Sequence, residues 1–397
     1  MKTTKRVLSI AIIFMLGLGL FSPATVAFED FPRGELPDWV DLREHRRTYY
    51  IVSGAVLGLR ETSFAMLYDD ELVYESYRHG FDEYTMHPMN SFTKSFLNAV
   101  IGAAIQDGYI DSCLQQKVYN FFPDAYIAEG QESKREMTLE HILTMRSGLP
   151  WLTQRSSLDF MQCEVDSGLA AFETPQRIPP GIRWSYCGGP SMQILVAIIE
   201  RSTGRDFYDY VHERIFGPLG MSSAEWRIFT ADGRPTGAMG LYMTTRDMLR
   251  FGQLYLHDGV WEGRRILPEG WVDQTWDGET FAVPFGAPWG LLNYNLLWWG
   301  NTFSQSAGES FRAQGFAGML VSVYRDSNLV VARTGGIGII GSGEAAWPLI
   351  LNPETNRHLY IIPRIDRRFL PSWRIYQNRV ACITTEILEE NCYETYS

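Results

Sequence analysis

One helical segment constrains the fold of this chain more than any other feature. Over residues 90–105, apolar side chains such as Phe92, Phe96 and Val100 recur at helical spacing, and Gly108 lies just past the end. The segment is apolar on nearly every face, and a helix of that kind is normally enclosed by other elements. The sequence therefore predicts a buried central helix.

Strand patterns occur near both ends of the chain, with helical patterns between them. One predicted hairpin joins residues 64–68 and 72–77 through Asp69-Asp70-Glu71, and a second joins residues 318–324 and 329–333. The helical patterns cover residues 138–145, 191–202, 207–215 and 244–256. We therefore predict an α+β fold, with an antiparallel sheet built from both termini, flanking helices, and a helical subdomain over about residues 110–260.

The first 27 residues have the features of an export signal. Lys2, Lys5 and Arg6 precede a largely apolar run over residues 7–21, and small residues follow where a signal peptidase would cut. The run is shorter than the roughly 20 residues that a membrane helix needs. We expect a cleaved signal over residues 1–27 and a secreted or periplasmic protein without stable membrane insertion. An uncleaved anchor is the alternative.

Charge and cysteine content bear on partners but not on chemistry. The net charge at pH 7 is −11, and loss of the three basic signal residues would change it to −14. An acidic surface repels phosphate backbones, which argues against nucleic acid as a partner. Five cysteines are present without a zinc-type spacing. Cys382 and Cys392 either form a disulfide or remain unpaired thiols, and the sequence does not indicate an oligomeric state.

Ser91-Phe92-Thr93-Lys94 is the candidate catalytic motif. On a helix, residues i and i+3 share one face, so the lysine amine can reach the serine hydroxyl. A buried lysine with a lowered pKa can act as a base, whereas arginine cannot lose its proton. The chain carries 35 Lys and Arg residues, of which only Lys94, Lys117 and Lys134 are lysines after the signal. The alternative is a helix-capping serine beside a lysine that extends to the surface.

Other catalytic schemes have little support. The sequence contains no G-x-S-x-G, no H-E-x-x-H and no G-x-x-x-x-G-K-[ST] motif. One G-x-G-x-x-G match, at residues 336–341, follows a strand of the predicted hairpin and has no clear helix behind it, which favours a flexible loop over a dinucleotide site. We therefore expect neither a metal nor a cofactor.

Ordered motifs over about residues 60–335 resemble the serine β-lactamases, the D-alanyl-D-alanine peptidases and related esterases and amidases. The resemblance is strongest to the β-lactamase-related hydrolases that include 6-aminohexanoate-dimer hydrolase. The matching blocks are residues 91–95, 137–149, 180–186, 216–221, 241–248 and 315–318. The resemblance implies a hydrolase domain over residues 28–350, followed by an extension of unknown role over residues 351–397.

The family resemblance also implies site residues. Ser91 and Lys94 form the first motif, and Tyr186 corresponds to the tyrosine that exchanges protons with them and protonates the leaving group. A Lys-Thr-Gly-like strand falls at residues 313–315, after which the backbone amide of Phe316 would join that of Ser91 in binding an oxyanion. The implied substrate contacts are Gly188, Gln314 and Gly315. From their position before the third motif we expect Trp298 and Trp299 to wall the pocket, with Trp298 as a substrate contact and core packing as the alternative.

Two departures from the family pattern bear on the substrate. The family's Tyr-x-Asn reads Tyr186-Cys187-Gly188, so an amide that often binds a substrate carbonyl is missing. Ala313 stands where the family's β-lactamases and peptidases have a lysine that helps hold a substrate carboxylate. We therefore expect a small ester or amide as the substrate, cleaved through an acyl-serine intermediate. The alternatives are a D-alanyl-D-alanine carboxypeptidase or β-lactamase, and a catalytically inactive ligand-binding protein on the same fold.

Overall fold

The computed structural model describes residues 30–42, 59–150, 159–277, 281–283, 292–304 and 308–337. Its α-helices are α1 (Phe92–Gln106), α2 (Leu139–Leu143), α3 (Ser167–Glu173), α4 (Pro190–Thr203), α5 (Phe207–Val211), α6 (Thr245–Leu256) and α7 (Trp271–Asp277). Its strands are β1 (Leu59–Tyr68), β2 (Glu71–Tyr77), β3 (His87–Pro88), β4 (Glu225–Trp226), β5 (Leu241–Met243), β6 (Val260–Trp261), β7 (Arg264–Arg265), β8 (Phe281–Val283), β9 (Leu292–Asn295), β10 (Trp298–Ser304), β11 (Gly308–Gly315), β12 (Met319–Tyr324) and β13 (Leu329–Ile337). The predicted signal, the extension after residue 350, and Cys382 and Cys392 lie outside the described residues.

An eight-stranded antiparallel sheet joins the two ends of the described chain. The strand order is β2-β1-β13-β12-β11-β10-β9-β8, and β1 pairs with β13 along its whole length. Both predicted hairpins are present. Asp69 and Asp70 turn the chain between β1 and β2 with positive φ angles of 46° and 67°, a conformation that aspartate tolerates better than most residues. The prediction of an α+β fold with a sheet from both termini is confirmed.

The predicted central helix is α1. Every residue from Phe92 to Ala104 is buried, and the helix packs against β11 and α4. Its one central amide, Asn98, donates to the backbone carbonyl of Leu296 at 2.8 Å and accepts from the indole N–H of Trp271 at 3.0 Å. Because a buried amide costs free energy unless it is bonded, these contacts fix the helix against the loop before β10.

The region over residues 110–260 divides between two layers. Helix α3 packs on α4, and α4 packs on α1, whereas α6 packs on β12, β13 and β1. Gly252 lets α6 approach the sheet closely, since an added Cβ would lie 2.5 Å from a methyl carbon of Val330. α6 therefore belongs to the sheet layer, and the predicted helical subdomain ends before it. β3, β5 and β4 form a small antiparallel sheet beside α1.

Helix ends follow the local sequence signals. Thr138 and Thr244 each accept a hydrogen bond from the backbone amide three residues on, at the start of α2 and α6. Gly204 ends α4 in the left-handed conformation that glycine adopts without strain. Within the described ranges, no helix is both long enough and apolar enough to cross a membrane.

Candidate active site

Ser91 stands at the start of α1, where the chain enters from β3. The preceding residue, Asn90, has a φ angle of 53°, and its side-chain amide donates to the backbone carbonyl of Phe316 at 2.8 Å. Ser91 is partly exposed, and its hydroxyl makes no helix-capping hydrogen bond. The capping alternative is therefore wrong, and the hydroxyl is accessible to a substrate.

Lys94 lies one turn further along α1 with its side chain enclosed. Its exposed fraction is 1%, and its Nζ lies 3.0 Å from the Ser91 Oγ and donates to the backbone carbonyl of Ala238 at 2.9 Å. Burial without a compensating carboxylate lowers the pKa of Lys94 to about 7. The lysine does not extend to the surface, and near neutral pH its amine can accept a proton from the serine hydroxyl.

Tyr186 forms the third corner of this group. Its phenol is hydrogen-bonded to Ser91, and its ring centroid lies 5.1 Å from the Lys94 Nζ. Desolvation raises the pKa of Tyr186 to about 12, although the bond to Ser91 opposes the shift. The site thus pairs a lysine that is readily neutral with a tyrosine that keeps its proton. Groups whose pKa values are separated in this way can divide base and acid roles.

Gly188 makes room for the lysine. A Cβ added at Gly188 would lie 2.5 Å from the Cε and 3.2 Å from the Nζ of Lys94, closer than carbon atoms pack in proteins. The absence of the family's asparagine here is therefore tied to the position of Lys94. The neighbouring Cys187 is fully buried, its thiol contacts the hydroxyls of Ser147 and Ser191, and burial raises its pKa. Cys187 is a packing residue.

The end of β11 meets the start of α1. A Cβ on Gly315 would lie 2.1 Å from the Met89 carbonyl oxygen and 3.1 Å from the Phe92 amide nitrogen. Gln314, one residue earlier, is partly exposed, and Phe316 is 53% exposed. The junction therefore places Phe316 close to the start of α1, and the binding of an oxyanion by the Ser91 and Phe316 amides stays a prediction.

Aromatic rings surround Tyr186. Trp299 stacks on it at a centroid distance of 6.0 Å, and Trp184 and Tyr294 each lie 6.2 Å from it. Trp298 faces the opposite side of β10, is 1% exposed, and packs against Phe251, Tyr255 and Phe311. Successive strand residues point to opposite faces of a sheet, so only one of the two tryptophans can reach the site. The prediction for Trp298 as a substrate contact is wrong.

Sequence reasoning missed three of these neighbours. Trp184 lies in the block over residues 180–186 that resembles the family, and its spacing of two residues from Tyr186 could have indicated a shared surface. Tyr294 and Ala238 carry no local signal. The Ala238 contact uses a backbone carbonyl, so side-chain identity could not reveal it.

Comparison with known proteins identifies the family. Residues 53–334 match the family described as Beta-lactamase. The 6-aminohexanoate-dimer hydrolase of Paenarthrobacter ureafaciens is 24% identical over 286 residues, which are 64% of this chain and 68% of that protein. A D-aminopeptidase of Brucella anthropi is 31% identical over 148 residues, which are 36% of this chain and 26% of that protein.

Solved structures share the fold. A penicillin-binding protein homologue from Caulobacter crescentus aligns with a TM-score of 0.57 at 16% identity, covering 77% of this chain and 93% of that one. A family VIII carboxylesterase aligns with a TM-score of 0.58 at 14% identity, covering 79% and 96%. The residues matched by the family, 53–334, include Ser91, Lys94 and Tyr186. This chain therefore belongs to the Beta-lactamase family of serine hydrolases.

Proposed function

We propose that this chain is an exported hydrolase that cleaves a carboxylic ester or a small amide through an acyl intermediate on Ser91. The observation that carries the proposal is the buried amine of Lys94, 3.0 Å from the Ser91 Oγ. An amine with a pKa of about 7 is a base matched to neutral conditions. A binding protein would need no activated serine.

Acylation follows from the three side chains. Neutral Lys94 accepts the Ser91 proton as the Oγ attacks the substrate carbonyl carbon, and the Ser91 and Phe316 amides bind the resulting oxyanion. Tyr186 gives its proton to the leaving oxygen or nitrogen and regains one from the Lys94 ammonium. The bond to the leaving group breaks, which leaves an acyl-serine, a neutral lysine and a free alcohol or amine.

Deacylation repeats these proton transfers with water as the nucleophile. The Lys94 amine and the Tyr186 phenol relay a proton from the attacking water to the departing Ser91 oxygen as the ester bond to the enzyme breaks. The products are the carboxylic acid and the regenerated hydroxyl of Ser91. The two steps use groups on this chain, the substrate carbonyl and one water molecule.

The proposed substrate class rests on the groups beside Ser91. Gly188 has no side-chain amide to bind a substrate carbonyl, and Ala313 has no ammonium group to bind a substrate carboxylate. The partly exposed rings of Trp184 and Trp299 provide apolar surface next to Tyr186. Similarity to a 6-aminohexanoate-dimer hydrolase supports linear amides over penicillins. The basic and apolar pattern of residues 1–27 supports export.

A substrate panel tests this proposal. The purified protein is assayed with p-nitrophenyl acetate and butyrate, a linear aminohexanoate dimer, nitrocefin and a D-Ala-D-Ala peptide, beside Ser91→Ala. We expect ester or linear-amide turnover in the wild type and a loss of at least about 1,000-fold in the variant, because removal of the nucleophile disables the whole group. Undiminished turnover by Ser91→Ala would contradict the proposal.

The remaining outcomes of the panel separate the alternatives. Efficient turnover of nitrocefin or of the D-Ala-D-Ala peptide, but not of the esters and the linear amide, would support a β-lactamase or carboxypeptidase and overturn the proposed substrate class. No turnover, together with no labelling of Ser91 by a fluorophosphonate, would support the ligand-binding alternative.

The pKa values predict a one-sided pH profile. Acylation needs neutral Lys94, so kcat/KM should rise with pH through about 7 and then level off. Tyr186 must keep its proton, and its pKa of about 12 places no alkaline limb below about pH 10. Initial rates with p-nitrophenyl butyrate, corrected with the Ser91→Ala protein at each pH, measure the profile. A limb centred near pH 10, the ordinary pKa range of lysine, would refute the role of Lys94.

Gly188→Asn tests the space for Lys94. An asparagine Cβ would sit within 2.5 Å of the present Cε position and displace the amine from Ser91, so we expect ester kcat/KM to fall by about 100-fold or more. Gly80→Asn is the control, because an added Cβ there meets no atom within 4 Å and asparagine tolerates the positive φ of 84° better than most residues. Thermal unfolding checks that both variants fold. Ester turnover by Gly188→Asn within threefold of wild type would contradict this explanation.

A further inference from the structure

Lys94 donates a hydrogen bond to the backbone carbonyl of Ala238. Ala238 belongs to the loop between β4 and β5. The amide of Arg227 donates to the Gly240 carbonyl at 2.8 Å and closes the loop at its base. Within it, the indole N–H of Trp226 donates to the Thr236 carbonyl at 3.1 Å. Ala238 lies at the inner end of this loop, and its carbonyl accepts from the Lys94 Nζ at 2.9 Å. The loop thus supplies one of the two polar contacts that define the position of the amine.

Gln193 holds the inner end of the loop from α4. Its Oε1 accepts from the amide of Gly237 at 3.2 Å, and its Nε2 donates to the carbonyl of Pro235 at 3.3 Å. The same Nε2 lies 3.2 Å from the Ser167 Oγ. Gln193 therefore binds the backbone on both sides of Thr236, and one of its partners directly precedes Ala238.

Burial of the Gln193 side chain costs free energy unless its amide makes these hydrogen bonds. The side chain is fully buried, and an unpaired amide in such a place costs free energy, whereas an apolar residue of the same length would pack without that cost. α4 also approaches the loop so closely that a Cβ on Gly237 would lie 2.3 Å from the Met192 carbonyl oxygen. The loop is therefore seated on the first turns of α4, the helix that follows Tyr186 and Gly188 in the chain.

The Ala238 carbonyl orients the Lys94 amine. A neutral lysine has a single lone pair, which must point at the Ser91 hydroxyl for proton transfer. When one N–H of Lys94 is bonded to the Ala238 carbonyl, rotation about the Cε–Nζ bond is restricted and the lone pair can be directed at the Oγ. A shift of the loop would leave Lys94 buried but poorly directed.

We propose that Gln193 is a positioning residue for the hydrolase reaction, acting through the Ala238 carbonyl on the direction of the Lys94 lone pair. The inference rests on the proposed function, because it concerns the rate of Ser91 acylation. The outer end of the same loop is held separately. Arg234 pairs with Glu200 at 2.5 Å and with Asp232, so loss of the Gln193 contacts should alter the inner end without unfolding the loop.

Gln193→Met removes the three hydrogen bonds and nearly preserves the volume. We expect kcat for the best ester of the panel to fall by about 10- to 100-fold, with KM within about twofold, and the rate of Ser91 labelling by a fluorophosphonate to fall in parallel. The matched control is Lys134→Met. It also removes a buried side-chain bond to a backbone carbonyl, that of Thr174 at 2.8 Å, but is not connected to the Ala238 loop. It should keep kcat within twofold.

Thermal unfolding separates positioning from general destabilisation. If both variants lose stability but only Gln193→Met loses kcat, the inference holds. If Gln193→Met retains wild-type kcat, or if both variants lose kcat equally, the inference is overturned while the Ser91→Ala result still supports the hydrolase.

A second variant covers the case in which Gln193→Met does not fold. Gly237→Ala pushes the loop off the Met192 carbonyl by steric contact and leaves Gln193 in place. We expect the same selective loss of kcat and of Ser91 labelling. Wild-type kcat in a folded Gly237→Ala protein would show that the position of this loop does not control Lys94, and would overturn the inference.

Discussion

Lys94 is buried with no carboxylate of the described chain setting its pKa, and the other features of the site depend on that burial. An ammonium in such a position loses hydration that no opposite charge restores, which lowers its pKa to about 7. The same enclosure acts in the opposite direction on Tyr186, whose pKa rises to about 12. One environment therefore produces a base and an acid side by side, because burial disfavours whichever form of each group is charged.

The fold maintains this enclosure by bringing backbone segments unusually close together. Gly188 lies against the Lys94 side chain, Gly315 against the start of α1, and Gly237 against α4, and a Cβ at any of the three would overlap a neighbouring atom. The buried helix supplies Ser91 and Lys94, the sheet supplies Phe316 at the end of β11, and the loop before β5 supplies the Ala238 carbonyl. Because these segments lie so close together, the backbone carbonyl of Ala238 can bind the Lys94 amine where a buried lysine would otherwise need a charged partner.

Local signals in the sequence predicted the hairpins, the central helix and the Ser91–Lys94 pair, because each depends on periodicity, turn residues or spacing within one helix. What they could not predict depends on distant segments. The choice between Trp298 and Trp299 depended on which face of β10 meets the core, and the assignment of α6 to the sheet layer depended on the contact of Gly252 with Val330. The Ala238 carbonyl and its support by Gln193 join residues that are far apart in the chain and leave no pattern in it.

The most direct test of the central claim is a titration of Lys94 itself by NMR with ¹³C at the lysine ε-carbons. The chain has only five lysines, so the signals are few, and the one absent from Lys94→Arg identifies the residue. The burial described above predicts that this signal titrates near pH 7, well below the ordinary lysine range near pH 10. A Lys94 signal that titrates near pH 10 would show that the lysine is charged under working conditions, and would contradict its role as the base.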